Sequence, residues 1–376
     1  MKLIEKISRS HIDWILLSAV IAISVLGLVT MHSFSGENYF FERQMIWIAI
    51  SLMIFFTFSF IDFRFLRRTK VVMSIYITAF ALLLFLLFAG SPVQGSQRWI
   101  ELGFFSFQVS EFAKLALIII LAKYFTKRHI EIANFKHILI SGAYAFIFFA
   151  LIFFQPDFGS AIVIALIWLG MVIISGISKK HLGLVFLIAL ASFSGAWFFA
   201  LEDYQKTRVV SFLQPYTDME GSGYHKEQSR IAIGSGQLFG KGIGFGTQSE
   251  LKFLPEHETD FIFSAYAEEW GFVGSFILLL LFGIIIWRIL KVTMHGESNF
   301  EILFGIGVSI MLISHITIHI GTNMGLLPVT GITLPFMSFG GSHTIFSFAA
   351  LGILMGMNKY SRVVHKEKIK NEVSGI

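Results

Sequence analysis

The chain has no cysteine and only six prolines among 376 residues, and just 14% of it is charged. Without cysteine there is no disulfide, no thiolate metal site and no cysteine nucleophile. A soluble domain carries about a quarter charged residues, so the shortage of charge excludes an ordinary globule. Disorder is excluded as well, because 55% of the residues are hydrophobic. Also lacking is the alternation over about ten residues that marks a membrane β-barrel strand. What remains is a chain of high mean hydropathy, +0.74, with apolar runs of about twenty residues. The fold class is therefore all-α: a polytopic integral membrane protein.

A spanning helix needs about twenty mostly apolar residues, and ten such segments are expected. They lie at about 13–31, 45–61, 71–90, 108–125, 137–154, 158–177, 183–201, 269–289, 302–322 and 343–358. Only Gln155-Pro156-Asp157 separates the fifth from the sixth. Proline removes a backbone donor and stops a helix, so a tight reversal is expected there. The first span is long and no small-residue cleavage site follows it, which argues against a cleaved signal peptide.

Basic residues orient the spans. Twenty of the 29 Lys and Arg fall in the loops of one side, eight fall on the other, and Lys114 lies inside a span. The expectation is an even number of spans, with both termini cytoplasmic. The basic tail from Lys359 to Lys370 then faces anionic lipid, and no nucleic-acid partner is expected. Residues 1–376 form one membrane domain with one large external loop, about 202–268, between helices 7 and 8. No internal repeat suggests an inverted-repeat transporter.

Charges in or beside hydrocarbon are costly, so each is a functional candidate. Glu111 and Lys114 share one helix face at i, i+3. They either pair locally to fix helix packing or hold a cation at the mouth of a cavity. Arg98, within Gln97-Arg98-Trp99, is either an interfacial anchor or a phosphate ligand. Asp157 suits a helix cap, and Arg43 is a flanking charge at the same membrane face. The densest polar run is Leu254-Pro255-Glu256-His257-Glu258-Thr259-Asp260, followed at once by Phe261, Ile262 and Phe263. Asp260 therefore sits at the rim between polar loop and apolar span. That position suits a general base or acid, and equally a helix N-cap.

Two motifs carry less than they promise. Gly240 to Gly246, with a glycine at every second position, lacks the strand–loop–helix context of a phosphate loop. His315 and His319 are at i, i+4, but no third metal ligand is evident, so helix packing is favoured. The outer loop from Gly325 to Ser342 is apolar, rich in glycine and proline, and free of basic residues. Such backbone is tolerated at membrane depth only when buried in protein or lining a cavity. It is read as a re-entrant or surface-hugging loop.

Taken together, these motifs resemble the SEDS family (shape, elongation, division and sporulation) along nearly the whole chain. The resemblance rests on Gln97-Arg98-Trp99, Ser110-Glu111-Phe112-Ala113-Lys114, Gln155-Pro156-Asp157, Gly246-Thr247-Gln248-Ser249, Phe253 to Phe263, and Asn323 to Ser342. The stretch from Gly246 to Phe253 is closer to the elongation branch than to the division branch. Glu258 stands where the family often has histidine, and Val109 replaces a frequent proline. The resemblance implies a peptidoglycan glycosyltransferase that polymerises lipid II on the outer face of the cytoplasmic membrane. Its implied partners are a class B penicillin-binding protein transpeptidase and other elongation-complex proteins. The essential acidic position falls on Asp260, and other important polar positions fall on Arg43, Arg98, Glu111, Lys114, Asp157, Gln228 and Arg230.

An α-linked donor and a β-1,4 product need one inverting displacement. Asp260 would take the proton from the acceptor hydroxyl. Arg98, Lys114 and Arg230 would stabilise the leaving pyrophosphate. A divalent cation, magnesium or manganese, is a candidate to share that role, and no other cofactor is expected. Two rival readings are a lipid II flippase, which needs no base at the rim, and a non-catalytic scaffold for the penicillin-binding protein.

Overall fold

The computed structural model describes residues 11–34, 39–89, 99–101, 103, 106–126, 135–199, 203–214, 221–251, 253–254 and 256–374. Its helices are α1 (Trp14–Ser33), α2 (Tyr39–Phe60), α3 (Thr69–Ala89), α4 (Val109–Thr126), α5 (Phe135–Phe154), α6 (Phe158–Ile174) and α7 (Lys179–Phe199). Three short helices follow: α8 (Asp203–Leu213), α9 (Ser222–Ser235) and α10 (Thr247–Glu250). The chain closes with α11 (Ile262–Thr293), α12 (Asn299–Asn323) and α13 (Gly341–Ser374). Each of the ten expected segments coincides with a helix. Among the described residues six helices, α1, α2, α3, α5, α11 and α12, are long and apolar enough to cross a membrane by themselves. The protein is thus a multi-pass helical membrane protein.

One small departure from an all-α chain is a hairpin, β1 (Trp99–Glu101) antiparallel to β2 (Ser106–Gln108). Ser342 pins it to the start of α13: its Oγ donates to the Ser106 carbonyl at 2.9 Å and accepts from the Gln108 N–H at 3.0 Å.

The centre of the bundle is α4, which buries fourteen of its eighteen residues. A helix apolar all round belongs inside, where its polar groups must find protein partners. Toward the expected cytoplasmic side, ion pairs tie distant helices together. Asp13 caps α1 by accepting from the Leu16 N–H at 3.0 Å, and its other oxygen meets Arg288 of α11 at 2.5 Å. Arg67 meets Glu301 of α12 at 2.5 Å. Phe85, Phe88, Phe154, Phe272 and Phe276 point outward, as side chains facing lipid do.

The segment expected to be external differs from a plain loop. It holds α8, α9 and α10, and α11 begins at Ile262 rather than near residue 269. Gly271, at φ 66° and ψ −162°, breaks α11. Backbone groups freed by the break are taken up by the glycine-rich run. Lys241 N–H and Gly242 N–H donate to the carbonyls of Glu268 and Glu269, each at 3.0 Å. Phe272 N–H and Val273 N–H donate to the carbonyls of Gln237 (2.8 Å) and Leu238 (3.0 Å). A Cβ at Gly240 would lie 2.0 Å from the Glu269 carbonyl oxygen. These glycines therefore serve close backbone packing.

Glu268 organises the same run. It is fully buried. Its carboxylate accepts from Lys241 Nζ (2.7 Å), Gln248 N–H (3.0 Å), and the N–H and Oγ of Ser249 (3.3 and 3.2 Å). It caps α10 from outside, since Gly246 at the cap position has no side chain to do so.

Candidate active site

Asp260 lies in a tight turn. The N–H groups of Thr259, Asp260 and Phe261 all converge on the Glu256 carbonyl, at 3.2, 3.0 and 3.1 Å. The side chain of Asp260 is half-buried. The N-cap of α11 is Phe261, without a side-chain cap bond, so Asp260 is not the helix cap. Three successive carbonyls of this turn are gripped from the C-terminal part of the chain. Glu258 accepts from the Phe339 N–H at 2.9 Å. Thr259 accepts from Ser338 Oγ at 2.8 Å. Asp260 accepts from Asn323 Nδ2 at 2.9 Å. The apolar loop between α12 and α13 is thus a brace for the acidic turn.

That brace is also tied to α2. Gln44 is buried, donates from Nε2 to the Ser338 carbonyl at 3.1 Å, and accepts at Oε1 from the Gly340 N–H at 3.2 Å. Its neighbour Arg43 is half-buried, with its guanidinium 4.7 Å from the centre of the Tyr39 ring. Arg98 lies outside the described residues.

A second polar centre sits deeper. Lys114 is completely buried, and Glu111, His315 and His343 are nearly so. Lys114 Nζ donates to Glu111 Oε1 at 2.7 Å and lies 3.0 Å from His315 Nε2. Glu111 Oε2 is 3.2 Å from His343 Nδ1, and the two imidazole rings stack at 4.7 Å. His315 Nδ1 faces the Thr333 carbonyl at 3.2 Å. That neighbour requires Nδ1–H, which leaves Nε2 as the acceptor for the ammonium. The expected Glu111–Lys114 pair is therefore present, within a four-residue cluster.

Glu111, His315 and His343 can bring their ligating atoms within 4.8 Å of one another. They do not fit magnesium, a hard cation that takes oxygen ligands in an octahedron. Lys114 already supplies the positive charge among them, in contact with two of the three. His319, one turn along α12, is not part of this group, and its Nδ1 faces the Ile332 carbonyl at 2.7 Å.

Asp157 caps α6 by accepting from the Ser160 N–H at 3.2 Å. Its second oxygen accepts from Ser110 Oγ (3.2 Å) and Gln108 Nε2 (3.4 Å). It is buried, so it fastens α6 to the start of α4, one residue before Glu111.

Gln228 and Arg230 belong to α9. Gln228 is half-buried, and Arg230 is exposed, pairing with Glu227 at 3.1 Å. Between them, Ser229 is buried and donates to the Asn323 carbonyl at 2.7 Å. Lys226, on the same helix, donates to the Phe212 carbonyl at 3.0 Å. Burial, and then the Arg230 guanidinium, lower its pKa.

Sequence reasoning singled out neither Gln44, Ser264, Ser338 nor His343, and it saw Asn323 only as part of a motif. One signal was available: His315, His319 and Asn323 recur every four residues along one face of α12. That face reaches from Lys114 to the Asp260 turn.

Fold and site define a polytopic helical membrane protein with a charged centre buried in its bundle and a braced acidic turn at one end. The chain belongs to the FtsW, RodA and SpoVE family, described as cell cycle proteins, whose pattern matches residues 7–363. It is 36% identical over 359 residues to the peptidoglycan glycosyltransferase MrdB of Escherichia coli K12, covering 95% of this chain and 96% of that one. It resembles a chain of a peptidoglycan synthase complex that coordinates polymerisation and crosslinking. The TM-score is 0.79 at 30% identity, over 93% of this chain and 98% of that one. The rod shape determining protein RodA of Thermus thermophilus superposes with a TM-score of 0.70 at 30% identity, over 92% and 96% of the two chains.

Proposed function

We infer that this chain is a peptidoglycan glycosyltransferase that polymerises lipid II into β-1,4 glycan strands during cell elongation. The observation that carries the reading is its full-length relationship to proteins named for that activity. In this reading all ten apolar helices span the cytoplasmic membrane of a bacterium. Both termini are cytoplasmic, residues 202–268 are external, and residues 1–376 form one membrane domain. The active site faces outward. The partner is a class B penicillin-binding protein that crosslinks the product, a reading supported by the similarity to a chain of a synthase complex.

The reaction joins the acceptor's 4-hydroxyl oxygen to the anomeric carbon of the donor. The bond from that carbon to the pyrophosphate breaks, and polyprenyl pyrophosphate leaves with the electron pair. Asp260 takes the hydroxyl proton. The braced turn supports this role, because three backbone carbonyls are held from elements far along the chain. Arg98, Lys114 and Arg230 supply positive charge for the pyrophosphate, Arg43 is a further substrate-binding cation, and guanidinium suits phosphate oxygens. Gln228, beside Arg230 on α9, is a further substrate-binding residue in this reading. Glu111 and Lys114, fastened beside Asp157, form the charged floor of the site. No step is assigned to a metal.

The test is conversion of labelled lipid II to glycan by the purified chain, with and without its transpeptidase partner. Polymer is expected. Translocation of lipid II across vesicles without polymer would instead establish the flippase reading.

A further inference from the structure

We propose that Asn323 is a positioning residue: its side-chain amide locks the Asp260 turn to the start of α11 while its backbone carbonyl holds α9, so that Asp260 and Arg230 keep a fixed relation. This rests on Asp260 being the base.

Asn323 is completely buried at the C-terminal end of α12. All four of its side-chain hydrogen-bonding sites are used. Nδ2 donates to the carbonyls of Asp260 and His319, both at 2.9 Å. Oδ1 accepts from the N–H of Ser264 at 3.1 Å and from its Oγ at 2.7 Å. Its backbone carbonyl accepts from Ser229 Oγ at 2.7 Å, and the Oγ atoms of Ser229 and Ser264 are 2.6 Å apart. One residue thus joins the acidic turn, the first turn of α11, α12 and α9.

These bonds are not needed to end α12. Gly325, at φ 74°, follows the helix, and the N–H groups of Gly325 and Leu326 return to the carbonyls of Thr322 (3.0 Å) and Gly321 (2.7 Å). That is how a glycine terminates a helix. The side chain instead does for α11 what a cap residue would. Phe261 has no capping group, and Asn323 Oδ1 takes the third helical N–H, that of Ser264. The same amide grips Asp260 one residue before that cap position. Movement of the turn against the helix would break both ends of the amide's bonding.

The reach to Arg230 is also direct. A Cβ at Gly325 would lie 2.8 Å from Arg230 Cδ and 3.0 Å from Lys226 Cε. The segment from Asn323 to Gly325 therefore lies between the proposed base and the proposed pyrophosphate cation. A buried, fully bonded network in low dielectric holds such geometry more tightly than surface contacts can.

The experiment uses the full chain in detergent, with lipid II polymerisation, KM and thermal unfolding measured for each variant. Asn323→Ala should lower kcat by about a hundredfold, the typical cost of a misplacement near 1 Å, with KM little changed. Asn323→Asp keeps the acceptor for Ser264 but sets an oxygen against the Asp260 carbonyl, and should lose kcat similarly. Ser264→Ala removes one bond of four and serves where the Asn323 variants do not fold; a smaller fall in kcat is expected. In the Asp260→Asn background each substitution should cost nothing further, because there is no base left to position. Losses that multiply in the double variants, or a raised KM with unchanged kcat, would overturn the proposal. Full activity in Asp260→Asn alone would instead remove the base assignment, so the two failures read differently.

Discussion

Lys114 Nζ lies 3.0 Å from His315 Nε2, across 201 residues of chain. The contact turns an i, i+3 ion pair into a cluster that ties α4 to α12 and, through His343, to α13. A buried ion pair often exchanges for neutral groups at little cost in stability. Replacement of Glu111 by Gln together with Lys114 by Met should therefore leave a folded protein. If the pair forms the charged floor of the site, polymerisation falls by about a hundredfold, the scale of losing one electrostatic contact to developing charge. Near-normal polymerisation by the double variant would reduce the cluster to packing.

Asp260→Asn keeps size and shape but cannot accept a proton. Polymerisation should drop about a hundred- to ten-thousand-fold, the usual worth of general-base catalysis. Expression and unfolding temperature should persist, because the carbonyl that Asn323 holds is unchanged. Glu258→Gln is the neighbouring comparison and should lose far less. Lipid II turnover by purified protein, free of other polymerases, decides between them.

The orientation has its own test, made clean by the absence of native cysteine. A cysteine placed at Gly221 should react with an impermeant thiol reagent added to intact cells, and one placed at Lys368 should be protected. The opposite labelling pattern would invert the assigned topology.

Two glycines give opposite expectations for stability. Gly240 has φ 82°, and an added Cβ would meet the Glu269 carbonyl oxygen at 2.0 Å. Gly240→Ala should destabilise the protein by about 3 kcal/mol or more, since backbone must move and the φ is left-handed. Gly183, in α7, has nothing within 4 Å of its Cβ position. Gly183→Ala should be neutral or gain up to about 1 kcal/mol from helix propensity. Thermal unfolding of both variants in the same detergent provides the comparison.

The helices were legible in the sequence because their cause is local. An apolar run of about twenty residues must be helical in lipid, where no water satisfies the backbone. The bias of Lys and Arg supplies an expected orientation, which the labelling experiment above tests. Asp157 read as a cap, and it caps α6. The helical stretch of α11 ahead of the Gly271 break is not legible in the sequence. Glu268 and Glu269 look like loop residues by their charge, yet Lys241, Gln248 and Ser249 satisfy Glu268 inside the fold. The rest of the site lies between residues distant in the chain. Gln44 reaches Ser338, Ser338 reaches Thr259, and Lys114 reaches His315. No spacing rule joins such residues, since hydropathy and helical period act only over neighbours along the chain. Sequence alone determined which segments are apolar enough to be helical in a membrane and which charges would be costly there. The tertiary structure decided which partners those charges have, because a buried polar group is satisfied by whatever the packing of helices brings within hydrogen-bonding distance.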